Sequence, residues 1–468
     1  MKKFLAIILA ICLMASLCVT AFAAETGDEY IIDVSGLKEN GEIEYIGSDQ
    51  SFEDGWQAAV KFSQDKDWMD EKGYVRIVVD LQADWTAKNC SFGSGTGFSE
   101  GSIYFPKNTR ITLNLNGYTI NRALPNWKWD GEVIYIYNGA DVIINNGTIT
   151  GGYSGGGAGG IHMQDAIVTL NDVNLVGNKV TDDDGAAIAV HDGGTLIMNG
   201  GCMSNNLLTN GSASLNTSCG TLYADGSTAT LNDVTISGNT SRSSWNLGAA
   251  VATSGNSVVT LNNCTVENNG TESTLRTNSI FSASDSGSVL NINGGTIRNN
   301  VARIGLFYLT GTVNISNDCV ITGNSMDGGI FRVFHSNITQ ANVENCTITD
   351  NPAPVVVFNL DYTMAGSNLT FTDCEFNNNG SIHDFAFRGA EKVNCTLVDC
   401  DLGDSIIESE EFINIIDSNS VPTGSIIGEG SFATVFSLAS LAVSVAAIAV
   451  CLSLNKKISS LKSGSNKE

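Results

Sequence analysis

The chain has 468 residues, enough for several ordinary domains or one long repeat array, and its 50 glycines, 5 prolines and 16% charged residues exclude collagen, a coiled coil, a Pro-rich linker and a charge-rich disordered chain. Hydrophobic residues make up 42%, ample for a core. A formal charge of −25 repels phosphate backbones, which argues against nucleic acid as a partner.

At the N-terminus, Lys2 and Lys3 precede the apolar run from Phe4 to Val19, and Ala21-Phe22-Ala23-Ala24 supplies the small residues of a signal-peptidase site. Residues 1–24 read as a secretory signal peptide, the other reading being an uncleaved anchor. Residues 25–105 read as an N-terminal cap. Within it, 51–66 predicts a helix, with Ser51 as N-cap, Glu53 and Asp54 in the first turn, and Phe52, Trp56, Ala59 and Val60 on one face. A strand from Tyr74 to Leu81 follows, then Asp84-Trp85. Such a segment suits the closing of an open sheet edge.

From 106 to 410 the chain repeats. Apolar anchors recur at Ile120, Ile149, Leu175, Met203, Ile236, Val266, Ile297, Ile321, Ile348, Phe376 and Leu402, at spacings of 24 to 33 with a mean near 28. Five residues before most anchors stands another apolar residue, and two before it a small or apolar one, around a polar pair such as Asn199-Gly200 or Asn293-Gly294. Period-two alternation on either side of such a pair predicts two short strands joined by a tight bend, and Asn and Gly tolerate the left-handed backbone that the bend needs. A third apolar run, such as Gly160-Ile161-His162-Met163 or Ala187-Ile188-Ala189-Val190, precedes the pair in most units. Three strands per 28 residues predict an all-β, single-stranded right-handed parallel β-helix of about 11 coils, rather than a β-sandwich.

Two columns accompany the anchors. Three residues after them come Asn178, Asn206, Asn239, Asn269, Asn300, Asn324, Asn351 and Asn379, expected to stack as a structural ladder. Two residues before them come Cys264, Cys319, Cys346, Cys374 and Cys400, expected to be free thiols facing inward. Of the 12 cysteines, Cys12, Cys18 and Cys451 fall in the end segments, leaving nine.

The phrases Gly185-Ala186-Ala187-Ile188 and Gly248-Ala249-Ala250-Val251, with Ile111-Thr112-Leu113-Asn114-Leu115-Asn116-Gly117-Tyr118-Thr119-Ile120 as a first coil, make the chain resemble the pectate-lyase-like right-handed β-helix superfamily, in particular bacterial surface proteins with adhesin-like repeats. The likeness covers roughly residues 50 to 410. It implies the fold more than the function, since the fold carries lyases, hydrolases, epimerases and inert stalks. The Asn-Thr-Asp and Gly-His-Gly phrases of the pectin hydrolases are missing, so no catalytic residue is assigned. The nearest cluster is Asp182-Asp183-Asp184 with His162, Asp165, His191 and Asp192 in neighbouring coils; Asp165, Asp182, Asp183, Asp184 and Asp192 are candidate Ca2+ ligands, against the plainer reading of solvated turn residues. Trp127 and Trp129 interrupt the repeat between its first two coils and, with Trp245, are the carbohydrate-contact candidates, against the plainer reading of a loop that folds over the N-terminal end as part of the cap.

Beyond a linker at 411–431, residues 432–454 are uncharged and long enough to cross a bilayer as a helix, and Lys456 and Lys457 open a tail, 455–468, placed inside. A sortase motif would need a residue between Pro422 and Thr423. The expectation is a single-pass, membrane-anchored cell-surface protein, adhesin-like or glycan-contacting. Its partners would be the membrane and a surface glycan or host or cell-surface protein. The alternative is a carbohydrate-active enzyme, a polysaccharide lyase or glycoside hydrolase, of the same fold.

Overall fold

The computed structural model describes residues 31–416 apart from 39–42, 50, 88–97, 100–101, 182–183, 210–218, 242–246, 271–278, 304, 327, 334–339, 354, 360–366, 381–384, 389–393, 404–406 and 408–412. The expected signal peptide at 1–24, the span at 432–454 and the tail at 455–468 lie outside the described residues, and among the described ones no helix is long and apolar enough to cross a membrane.

The chain is a right-handed parallel β-solenoid with about eight turns of about 28 residues. In the coil holding Met203, one strand (Asp184–His191) joins a sheet that has 12 strands among the described residues, and two others (Thr195–Asn199, Cys202–Ser204) join one that has 24. Each pairs in parallel with its counterpart one coil on, as Met198 with Leu231 and Met203 with Ile236. The count of 11 from anchors is too high for the regular array. Only the eight anchors from Leu175 to Phe376 are followed by the ladder asparagine, whereas Gly152, Ala123 and Ser405 stand there after Ile149, Ile120 and Leu402. Ile149 and Ile120 pair in the same ladder without that inner turn, and beside Leu402 Asp401 makes an isolated bridge to Glu375.

Alternation explains the core. Along Thr195–Asn199 the buried residues are Leu196 and Met198, and along Thr235–Ser237 the buried one is Ile236. The polar pairs between strands take the predicted left-handed backbone, as at Asp172 (φ 52), Asp233 (φ 55) and Asn263 (φ 51). Inside the tube Phe281, Phe307 and Phe331 stack with centroids 4.8 and 5.0 Å apart, because identical register puts like rings on neighbouring rungs. Cys264, Cys319, Cys346 and Cys374 are buried and Cys400 is half-buried, all as free thiols.

Two asparagine ladders run along the rod. The predicted one is buried: Asn206 Nδ2 donates to Asn239 Oδ1 (3.0 Å) and to the anchor carbonyl Leu175 O (3.0 Å), and the Asn206 amide N–H donates to the same Asn239 oxygen (2.9 Å). The second lies on the outside of the 24-stranded sheet, formed by the first residue of the polar pairs. Asn293 donates to Asn262 (2.8 Å), Asn262 to Asn232 (2.7 Å), and so on through Asn199, Asn171 and Asn145 to Asn114, which donates to Asp80 Oδ1 (2.8 Å). Its amides donate toward the N-terminal end, whereas each amide of the buried ladder donates both ways, to the next asparagine and to the anchor carbonyl of the coil before.

The cap is formed by β1 (Ile32–Leu37), β2 (Ile43–Asp49), α1 (Phe52–Phe62) and β3 (Val75–Leu81). The Ser51 side chain accepts the Asp54 N–H (3.3 Å), as expected of a cap, and Phe52, Trp56, Ala59 and Val60 are buried. The helix stops at Phe62 rather than 66, where Ser63 caps it and a short 3-10 turn, Lys66–Trp68, begins. β3 pairs in parallel with the first coil strand Thr109–Asn114 and antiparallel with β1, and β1 pairs antiparallel with β2. Asp70 locks the joint: it accepts the Tyr74 and Lys72 amides (2.9 Å each) and faces Arg110 at 3.5 Å and Arg76 at 3.7 Å. The boundary at 105/106 cuts through the first coil, since Ser102–Phe105 already pairs in parallel with Ile134–Tyr137. Ile413–Ile416, inside the expected linker, is a final rung paired with Asn394–Val398.

Candidate functional site

The outer face of the 12-stranded sheet differs from coil to coil. In Ile134–Tyr137 the isoleucines point inward and Tyr135 and Tyr137 outward; in Ile161–Gln164 the outward residues are His162 and Gln164. Register aligns Tyr104, Tyr135, His162, Ala189 and Tyr223 in one column, and Tyr137, Gln164, His191 and Asp225 in the next. The rings touch. Tyr135 lies 4.9 Å from Tyr104, 5.1 Å from Tyr137 in a stacked arrangement and 4.7 Å from His162. Ala189 separates His162 from Tyr223, and the His191 ring touches both, at 5.2 and 5.6 Å.

A polar border follows the ladder. Tyr135 Oη donates to Gln164 Oε1 (3.0 Å), whose Nε2 donates to the Asp192 carboxylate. Further on, Tyr223 Oη bonds Ser254 Oγ (2.8 Å), which donates to Asp225 Oδ1 (3.0 Å). Burial, with His191 alongside, pushes the His162 imidazole down to about 3, so it is neutral in ordinary buffers. Burial likewise raises the Tyr135 phenol.

On the other border stand the predicted tryptophans. Trp127 and Trp129 are 51% and 70% exposed, with ring centroids 6.0 Å apart and planes at 85°. Their loop is held in a ladder: the Lys128 N–H donates to Tyr153 O (3.0 Å), and the Gly155 N–H to Lys128 O (2.6 Å). The run Gly155-Gly156-Gly157 fits between tryptophans and histidine because it has no side chains. A Cβ on Gly155 would lie 2.8 Å from the Trp127 ring, and one on Gly157 would lie 2.5 Å from His162 Nδ1. Beneath the loop Glu132 is 3% exposed and accepts from Ser102 Oγ (3.1 Å). Burial pushes its carboxyl up to about 7.

The acidic candidates separate. Asp165 (φ 46) and Asp192 (φ 52) occupy the same left-handed turn one coil apart, both exposed. Asp184 belongs to a different corner. The tight Gly185–Ile188 bend brings its Oδ1 to 3.5 Å from His191 Nε2, while Oδ2 accepts the Gly157 N–H (2.8 Å). Asp182, Asp183 and Trp245 lie outside the described residues. Among the described residues no group of three or more His, Cys, Asp or Glu is arranged to hold a metal ion.

Sequence reading named the tryptophans and acids but missed Tyr104, Tyr135, Tyr137, Gln164 and Tyr223. The signal was there: aligning third strands coil by coil places aromatic residues at one outward position. No family model, curated protein or solved structure matches the chain.

Proposed function

We propose that this chain is a membrane-anchored, cell-surface β-solenoid whose flank around Trp127 and Trp129 contacts glycans. The anchor and the leader are the segments 432–454 and 1–24, and the adhesin-like, pectate-lyase-like kinship rests on the sequence phrases at 185–188 and 248–251. The observation that carries the glycan reading is the exposure of two large indole rings on a loop bonded into the coil. Indole faces stack on the C–H faces of sugars, and a fixed loop loses little freedom on binding. The test is a glycan array probed with the full chain in detergent, beside a Trp127→Ala/Trp129→Ala variant with the same melting temperature. Signals present for the native chain and lost in the variant are expected; equal signals from both would overturn the reading.

The runner-up, a carbohydrate-active enzyme, draws on Asp165 and Asp192 in stacked turns, since paired carboxylates flank the bond in glycosidases. Incubation with uronic-acid polymers and Ca2+ tests its lyase form. The glycan-contact reading expects no ultraviolet absorbance from an unsaturated product.

A further inference from the structure

We infer that the ring ladder of Tyr104, Tyr135, Tyr137 and His162 is a second contact track, which takes an uncharged hexopyranose chain lying along the rod axis. This inference rests on the glycan reading. Its direction comes from register: the aligned residues belong to successive coils, so any ligand touching several of them runs across the strands. Its chemistry comes from the two kinds of group side by side. The half-buried rings, packed on one another, meet the apolar C–H groups of a sugar with the parts left outward, while Tyr135 Oη, Gln164 and Asp192, already bonded in a row, meet its hydroxyls.

The class follows from charge. His162 is neutral, the exposed carboxylates of Asp165 and Asp192 edge the track, and the chain carries a formal −25. On the opposite border Lys179 has its Nζ over the Tyr153 ring at 5.5 Å, and the exposed Lys128 lies in the tryptophan loop, with the Gly155–Gly157 run between it and the ladder. A uronate, sulfated or phosphate-bearing polymer is repelled along this face, and a neutral one is not.

The extent follows from what roofs the ladder. Ala158 packs with Ala189 and Tyr223 in a small buried cluster, which closes the far end. From the strand Ser102–Phe105 to the strand Asp184–His191 there are three steps of about 4.8 Å, or about 14 Å, so a chain of several sugars fits and a disaccharide does not fill it.

The test measures binding of the full chain in detergent to a neutral β-linked glucose hexasaccharide, its disaccharide, and an oligogalacturonate hexasaccharide. Expected are hexasaccharide binding at least about tenfold tighter than the disaccharide, weak or no uronate binding, and a loss of about tenfold for Tyr137→Ala. Tyr135→Phe keeps the ring, removes one hydroxyl and should lose about threefold, which guards against misfolding of the alanine variant. If the tryptophan variant alone abolishes binding while Tyr137→Ala and chain length change nothing, the track is refuted and the glycan reading stands. Preference for the uronate refutes the charge argument in the same way. Failure of all three sugars refutes the track, while the glycan reading is decided by the array.

Discussion

The two asparagine ladders carry the same side chain at the same spacing. The outer one is half-buried: Asn262 donates to Asn232 and accepts from Asn293, and water competes for both bonds. In the buried ladder the Asn269 side chain makes four bonds, accepting the Asn239 N–H and Nδ2 and donating to Ile236 O and Asn300 Oδ1, buried away from competing water. A residue type and a register therefore do not fix an energetic role; the side of the wall does. The buried ladder replaces solvent for turn backbone, and the outer one tiles a wet surface.

The sharpest way to break this contrast is a charge. Ile297→Asp places a carboxylate in the dry column and should lower stability by several kcal/mol, whereas Thr296→Asp, one residue away and facing outward, should change it by less than about 0.5 kcal/mol. Equal effects in denaturant titrations would show that the inward assignment is wrong. Next come the ladders themselves. Asn269→Ala leaves two donors of Asn239 short of an acceptor and should cost about 4 kcal/mol, against about 0.5 kcal/mol for Asn262→Ala. Melting curves giving similar losses would erase the distinction.

Acidity sharpens it at a third place. Burial raises the Glu132 carboxyl from 4.5 to about 7, so the native state holds a proton that the unfolded chain releases. Its contribution is intact below pH 4.5 and is lost as pH rises to 7, about 3 kcal/mol across that window. Glu132→Gln should remove that part of the slope in melting temperature against pH; an unchanged slope refutes it. Asp70 has the opposite sign. The Tyr74 amide, followed by the Lys72 amide and the Arg110 and Arg76 charges, lowers its carboxyl, so its contribution is present above pH 3.8 and lost as pH falls. The smallest effect is kinetic. Burial pushes the Cys264 thiol up to about 11 and the Cys319 thiol up to about 12, so native protein should react slowly with thiol reagents at pH 8. After denaturation without reductant most of the nine cysteines outside the two end segments should titrate, and finding a single reactive thiol would mean bridges between coils.

Period, anchors, buried asparagines and inward cysteines were legible because a solenoid repeats the same burial problem in each coil, and the solution recurs in the sequence. The ends were less so. The regular turns are about eight because the coils at Ile120, Ile149 and Leu402 lack the asparagine turn, a difference that the anchor spacing alone does not register; Ile120 and Ile149 still pair in the ladder, whereas next to Leu402 Asp401 makes an isolated bridge to Glu375. The outer ladder is hidden because Asn199 and Asn293 already make sense as bend residues. Trp127 and Trp129 stood out by interrupting the repeat, whereas Tyr104 and Tyr135 obey it and drew no notice. Asp184 reads as a neighbour of Asp182 and Asp183, yet its contacts are with His191 and Gly157, since the Gly185 corner turns the chain back on itself.

A tube of parallel rungs is open to its own kind: the first rung of one molecule presents the edge that the last rung of another can extend, and such head-to-tail joining does not close into a ring but grows into a fibre. The cap reverses that polarity. β3 meets the first coil in parallel and β1 in the opposite sense, so the outermost strand offered at this end is β2, whose place in the cap is set by a hairpin rather than by the 28-residue register. An incoming last rung finds no matching coil behind that edge. The 50 residues from Ile32 to Leu81 thus blunt the edge through which one rod could extend another, and they do so while burying Phe52 and Trp56 against Trp85 and Phe105.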